Sequence, residues 1–222
     1  SANRAGQSHK KRRDREVDLK DYPSIDRIAE LQQMIADFAK VKRTNKLVDN
    51  PGTENDVEHS YGLALTCWFL QPHIAPELDL QKIFSYSLVH DLVELHAGDM
   101  YFLLNKEQAK QKKLNEAKAL KTIESKWKMD FPDLVQHISN YEEKVDEESW
   151  FVYAVDKILP PIMINLHEKD AYYKKWKLDK KSLFDKKHET ISKSKHMKIY
   201  VDRYIKWLDE IDYYYKPEKI NK

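Results

Sequence analysis

The 222-residue chain has one cysteine and four glycines. A single cysteine excludes an internal disulfide framework and fits a reducing compartment, so a cytoplasmic location is expected. Cys67 lies in an apolar run, where a buried, inert thiol is expected rather than a nucleophile. So few glycines, beside abundant Leu, Ala, Lys and Glu, leave little material for tight turns and argue for long helices. No pair of segments alternates convincingly enough to pair as strands, and no internal repeat is visible. No apolar run approaches the roughly 20 residues of a membrane span. No signal-peptide pattern opens the sequence, because residues 1–16 are polar and basic. Net charge is +2, many lysines being offset by acids, so nucleic acid is not an expected partner.

What is present reads as a single all-α domain over 17–215. A disordered basic leader or cloning remnant precedes it at 1–16, and a short tail follows at 216–222. Ile25, Ile28, Leu31, Ile35 and Phe38 are spaced as one face of a helix that is expected to end near Arg43. Asn45 to Asn55, with Pro51 and Gly52, reads as a loop. Further helices are expected from about Asp56 to Leu70, Leu80 to His96, Lys106 to Lys128 and Pro132 to Tyr141. Gly98 ends the second of these. Another starts near Glu147 and is kinked or stopped by Pro160 and Pro161. The last covers about Thr190 to Tyr213. The lysine-rich stretch 174–187 is expected to be a solvated basic surface.

Three of these helices look buried all round, yet each contains a histidine or an acid. His59 follows Glu58 at the start of one. His90, Asp91 and Glu94 share a face of the next, where Leu88, Leu92 and Leu95 form the expected core stripe. Asp156 stands in the apolar run Trp150 to Leu159. A buried, unpaired carboxylate costs several kcal/mol, so such acids are paired or bind metal. Two imidazoles and two carboxylates on different helices suit one divalent cation held between packed helices. Adjacent residues point only about 100° apart on a helix, so one ion can touch both His90 and Asp91.

The ordered set His59, His90-Asp91 and Asp156 resembles the pattern of the HD-domain phosphohydrolases. Glu54-x-x-x-Glu58-His59-Ser60, followed by His90-Asp91-x-x-Glu94-x-x-x-Gly98-Asp99, is similar to the branch containing the 5′-deoxynucleotidases. The resemblance covers about Ile25 to His167. It implies a compact helical bundle with one divalent metal (Mn²⁺, Co²⁺, Fe²⁺, Ni²⁺ or Mg²⁺) held by His59, His90, Asp91 and Asp156. It implies a proton-handling role for Glu94, a sugar or water contact for Asp99 and a phosphate contact for Arg43. The implied reaction is removal of the phosphate of a nucleoside or deoxynucleoside 5′-monophosphate by metal-activated water. Relatives of this kind are often homodimers, for which the aromatics of the last helix would serve. The family's Trp beside the phosphate-binding Arg is absent, since the chain reads Arg43-Thr44-Asn45-Lys46. Weak discrimination between ribose and deoxyribose is therefore expected, with Tyr101 or Phe102 as alternative walls. A triphosphohydrolase or other phosphoesterase is the alternative chemistry, and a non-catalytic, metal-stabilised binding module is the alternative of another kind. Retention of Glu94 and Asp99 beside the ligand set favours an enzyme.

Overall fold

A computed structural model describes residues 22–46, 53–98, 106–167 and 179–211. The leader at 1–16, Asp99, Tyr101, Phe102, Lys174 and the tail 216–222 lie outside the described residues. The architecture is all-α, as expected, with one small sheet. Helices α1 (Ile25–Phe38), α2 (Asp56–Ile74), α3 (Leu80–Val89), α4 (Glu94–Ala97), α5 (Lys106–Trp127), α6 (Pro132–Glu143), α7 (Glu147–His167), α8 (Lys180–Ile191) and α9 (Lys198–Glu210) follow in chain order. Strands β1 (Lys42–Lys46) and β2 (Thr53–Asn55) lie between α1 and α2. Among the described residues no helix is long and apolar enough to cross a membrane.

Local signals explain most helix starts. The Ser24 hydroxyl accepts from the Arg27 backbone N–H, and Asp79 accepts from those of Gln81 and Lys82. At α2 the Asn55 side chain accepts from Glu58 N–H while Glu58 accepts from Asn55 N–H, a reciprocal capping box. Glu58 therefore serves the backbone. Gly98, at φ 77°, ends α4 and donates its N–H to Glu94 O.

Several boundaries differ from the expected ones. Helix α1 stops at Phe38, so Arg43 stands on β1 rather than on a helix. The expected loop contains β2, paired antiparallel with β1 through Lys42 to Asn55 and Lys46 to Thr53. Polar residues on a two-stranded ribbon show no apolar alternation, so periodicity could not reveal it. The helix expected over Leu80 to His96 breaks after Val89. Leu92 N–H bonds Val89 O at 3.0 Å and Glu94 N–H bonds Asp91 O at 2.8 Å, which is the tighter i to i+3 winding. The last helix, α9, starts only at Lys198, and Thr190 and Ile191 end α8 instead. Helix α7 continues through both prolines. Pro160 and Pro161 have no N–H for the carbonyls of Asp156 and Lys157. Lys187 of α8 donates Nζ to Lys157 O at 2.5 Å, and Tyr204 of α9 donates to Ile158 O at 3.0 Å. Lys187 thus turns inward. The expectation of a wholly solvated lysine stretch holds for exposed Lys181 but not for this residue.

Two apolar cores result. The first joins α2, α3, α7, α8 and α9 through residues such as Leu63, Ile83, Phe151, Val155, Ile191 and Leu208. The second joins α1, α5, α6 and the end of α3 through Met34, Phe38, Val89, Leu92, Ile123, Trp127 and Ile138. Tyr204 and Trp207 of the last helix pack into or against the first core. Helix α7 is buried much as expected. Helices α2 and α3 are not buried all round: Tyr61, Leu65, Trp68, Phe69 and Leu88 are exposed, and so are Ile25, Ile28 and Ile35 of α1. Leu88 therefore leaves the expected stripe, because the break after Val89 turns Leu92 and not Leu88 inward.

Candidate metal centre

His59 sits in the first turn and a half of α2, set by the Asn55 cap. His90 closes α3, and Asp91 falls in the tight winding that follows. His59 and His90 are almost fully buried. One ligand atom from each of His59, His90 and Asp91 lies within 4.8 Å of the others. The two imidazole rings are 5.2 Å apart, centroid to centroid. Asp156 arrives from α7 and places Oδ1 2.9 Å from His59 Nε2. The structure therefore brings all four sequence-derived candidates together, Asp156 through its contact with His59.

The surroundings orient these donors. His90 Nδ1 lies 3.0 Å from Ser87 O, the arrangement of an Nδ1–H donating to a carbonyl. That leaves His90 Nε2 as the acceptor. It is buried, 2.9 Å from Asp91 Oδ2, and makes no hydrogen bond. A buried lone pair directed at a neighbouring carboxylate oxygen is repulsive unless a proton or a cation lies between them. His59 Nδ1 faces Glu54 Oε1 at 3.6 Å, so both ring nitrogens of His59 face carboxylates, Glu54 on one side and Asp156 on the other. The donor set fits a borderline divalent cation.

A second group of acids adjoins the first. Asp56, Asp91 and Glu94 each offer a carboxylate oxygen, again within 4.8 Å of one another. In the sequence Asp56 marks only the expected start of a helix. Arg43 reaches across from β1. Its guanidinium lies 2.6 Å from Asp91 Oδ2, 3.1 Å from Asp56 Oδ1 and 3.5 Å from Glu54 Oε2. The ribbon accounts for this, since β1 and β2 hold Arg43 and Glu54 side by side at the entrance to α2. Glu94 is buried and its Oε1 accepts from Lys112 Nζ of α5 at 3.2 Å; the same ammonium is 3.3 Å from Glu116. Lys112 went unnoticed in the sequence, where it is one lysine among many on a charged helix.

The field at this centre favours ionised groups. Burial opposes the charge of Asp156, but Lys157 and His59 outweigh it and hold the carboxyl well below the usual range. Burial likewise opposes charge on Asp91, and a protonated His90 and then Arg43 reverse the balance. For His59 burial disfavours the imidazolium, yet the carboxylates of Asp156 and Glu54 raise its pKa to about 9. Cys67 is buried and its thiol is pushed up to about 12, so it is inert. His96, one candidate for a further histidine ligand, is exposed on α4.

A helical bundle that gathers His59, His90 and Asp91 in this way is a candidate metal centre. The chain belongs to the HD-domain family, whose profile matches residues 35–199. No curated protein matches it. Among solved structures it is similar to a protein from Magnetospirillum magnetotacticum described as a predicted metal-dependent phosphohydrolase. That pair shares 21% identity, covers 86% of this chain and 99% of the other, and has a TM-score of 0.69. It is also similar to a conserved hypothetical protein from Pyrococcus furiosus, at 20% identity, 83% and 98% coverage and a TM-score of 0.52.

Proposed function

We propose that this protein is a metal-dependent phosphohydrolase that removes the phosphate of a nucleoside 5′-monophosphate. The observation that supports it most is the convergence of His59, His90 and Asp91 within 4.8 Å, beside Glu94 and Arg43. The similar Magnetospirillum structure, described as a metal-dependent phosphohydrolase, agrees with this reading. In it His59, His90, Asp91 and Asp156 hold one divalent cation: Mn²⁺, Co²⁺, Fe²⁺, Ni²⁺ or Mg²⁺. The bound cation supplies charge neutralisation for the phosphate and a lowered pKa for water. Glu94 orients the attacking water or passes a proton to the leaving oxygen, while Lys112 keeps its carboxylate in place. Arg43 adds a forked positive contact to the phosphate by exchanging part of its carboxylate partnership. Asp99 contacts the sugar or the water network. Homodimer formation and a cytoplasmic location belong to the same reading; light scattering would give a mass near twice the 26.5 kDa of one chain.

The test is phosphate release from a panel of nucleoside mono- and triphosphates with each metal. Monophosphates, ribose and deoxyribose forms alike, are expected to yield nucleoside and phosphate. Chelation should stop the reaction, and Mn²⁺ or Co²⁺ should restore it. Full turnover in a preparation shown metal-free by elemental analysis would end the metal-dependent reading. Release of pyrophosphate or triphosphate with monophosphates untouched would replace it with a triphosphohydrolase.

A further inference from the structure

On the outer side of Asp156 four lysines gather where none has a carboxylate to itself. Lys157 Nζ is 2.5 Å from Asp156 Oδ2, the oxygen turned away from His59, and 5.0 Å from the centre of the Tyr153 ring. Lys144 Nζ lies 3.6 Å from the Tyr141 ring centre and 5.4 Å from that of Tyr153. Lys193 Nζ lies 5.9 Å from the Tyr153 ring. Lys187 approaches Lys157 from behind and donates to its carbonyl. Tyr141 in turn stacks edge-on to His90, with ring centres 6.0 Å apart. The cluster therefore flanks the metal centre on two sides, through Asp156 and through Tyr141.

We propose that Lys144, Lys157 and Lys193, gathered around Tyr153 beside Asp156, form an anion subsite for a phosphoryl group other than the one cleaved. The inference rests on the proposed function and names its substrate class more closely: a nucleotide that carries a second phosphoryl group. Lys157 repels Lys144 on one side and Lys187 on the other. Among the described residues Lys144, Lys187 and Lys193 form no ion pair with a carboxylate. The acids acting on Lys144 from a distance are Glu142, Asp156 and Asp91, and the last two are committed to the metal centre. Glu142 is largely buried, which pushes its carboxyl up to about 7 and weakens it as a counter-charge near neutral pH. Burial first, with added repulsion from Lys157, brings Lys144 down to about 8 and Lys187 to about 7. A dianion is the ligand such a cluster lacks, and the compact ammonium of lysine suits a phosphoryl oxygen. Lys157 keeps 37% exposure of its side chain, so the cluster opens to solvent.

The probe is inorganic pyrophosphate, titrated calorimetrically into metal-free protein, so the result does not depend on the cation or on turnover. Wild type should bind it. Lys144→Met with Lys193→Met should weaken binding by about tenfold or more, while the exposed control Lys181→Met should bind as wild type. Lys193 is exposed, so Lys193→Met alone leaves the interior untouched and should still weaken binding by about threefold. In the metal-loaded protein, a nucleoside 3′,5′-bisphosphate should have a lower KM than the 5′-monophosphate, and the double variant should lose that difference. No pyrophosphate binding by wild type, or equal binding by wild type and the Lys193 variants, overturns the subsite. The reading of the metal centre would survive either result.

Discussion

The first and second cores share α3 and α6, whose Tyr86 and Tyr141 belong to the first and Val89 and Ile138 to the second, but they are built from different kinds of helix. The first is organised by α7, where Phe151, Val152, Ala154, Val155 and Ile158 are all buried around Asp156. The second is assembled from one-sided helices, α1, α5 and α6, each burying two or three residues. The first core contributes Asp156 from a rigid, fully packed run. The second contributes Glu94 and Lys112 from a short helix and a solvated one. Of the proposed ligands, Asp156 is thus set in the first core, whereas His90 and Asp91 stand with Glu94 on the stretch whose Val89, Leu92 and Val93 belong to the second.

This contrast can be tested at its junction. The largest effect is expected from the ligands themselves. Asp91→Ala or Asp156→Ala should lose bound metal and activity together, measured by elemental analysis and phosphate release. Loss of activity with full metal occupancy would move that residue out of the ligand set. Next come the cores. Phe151→Ala and Trp127→Ala should each cost about 3–5 kcal/mol of stability, since both are almost fully buried. Only Phe151→Ala should also weaken metal binding, because it sits on the helix that positions Asp156. Equal losses of metal affinity would show that the two cores act as one.

A smaller effect is expected on turnover. Glu94→Gln should keep its metal and lose on the order of 10²-fold in kcat, near 2.7 kcal/mol. Near-normal turnover would make Glu94 a structural partner of Lys112. The smallest concerns protons. In the metal-free protein His59 gains carboxylate partners on folding, and its pKa rises from 6.5 to about 9. Its stabilisation is therefore fully present below pH 6.5 and lost as pH rises through about 9. A cation must displace that proton, so metal affinity should increase with pH up to about 9 and then level off. Metal titrations across that range that return one constant affinity would contradict the coupling.

The sequence was most informative where a residue contradicts its surroundings. His59 and Asp156 stand out in apolar helices because burying them alone is costly, and both proved to touch each other. Caps were equally local, and Asn55 and Gly98 mark real ends. The break after Val89 was hidden because Leu88, Leu92 and Leu95 keep helical spacing through it. Only the tertiary setting, which draws His90 and Asp91 toward His59, selects the tighter winding. The ribbon that carries Arg43 was hidden for a different reason: its sequence is polar, and Arg43 itself faces acids rather than an apolar core. Lys112 and Lys187 needed the fold itself, since nothing local distinguishes them from solvated lysines. The match to the HD-domain family agrees with the reading of the bundle; which residue does which task is for the variants to decide.

Pro160 and Pro161 leave the helix that carries Asp156 with backbone oxygens that its own amides cannot reach, and Lys187 takes one of them. That oxygen is not stranded if α8 lifts away, because water can replace the ammonium. Opening of this region therefore forfeits less than opening a continuous helix of the same length. Amide hydrogens of α8 should exchange with solvent sooner than those of α2 or of the first half of α7. The wall behind Asp156 would then be the first part of the molecule to come loose, and an anion bound among the lysines would slow that exchange.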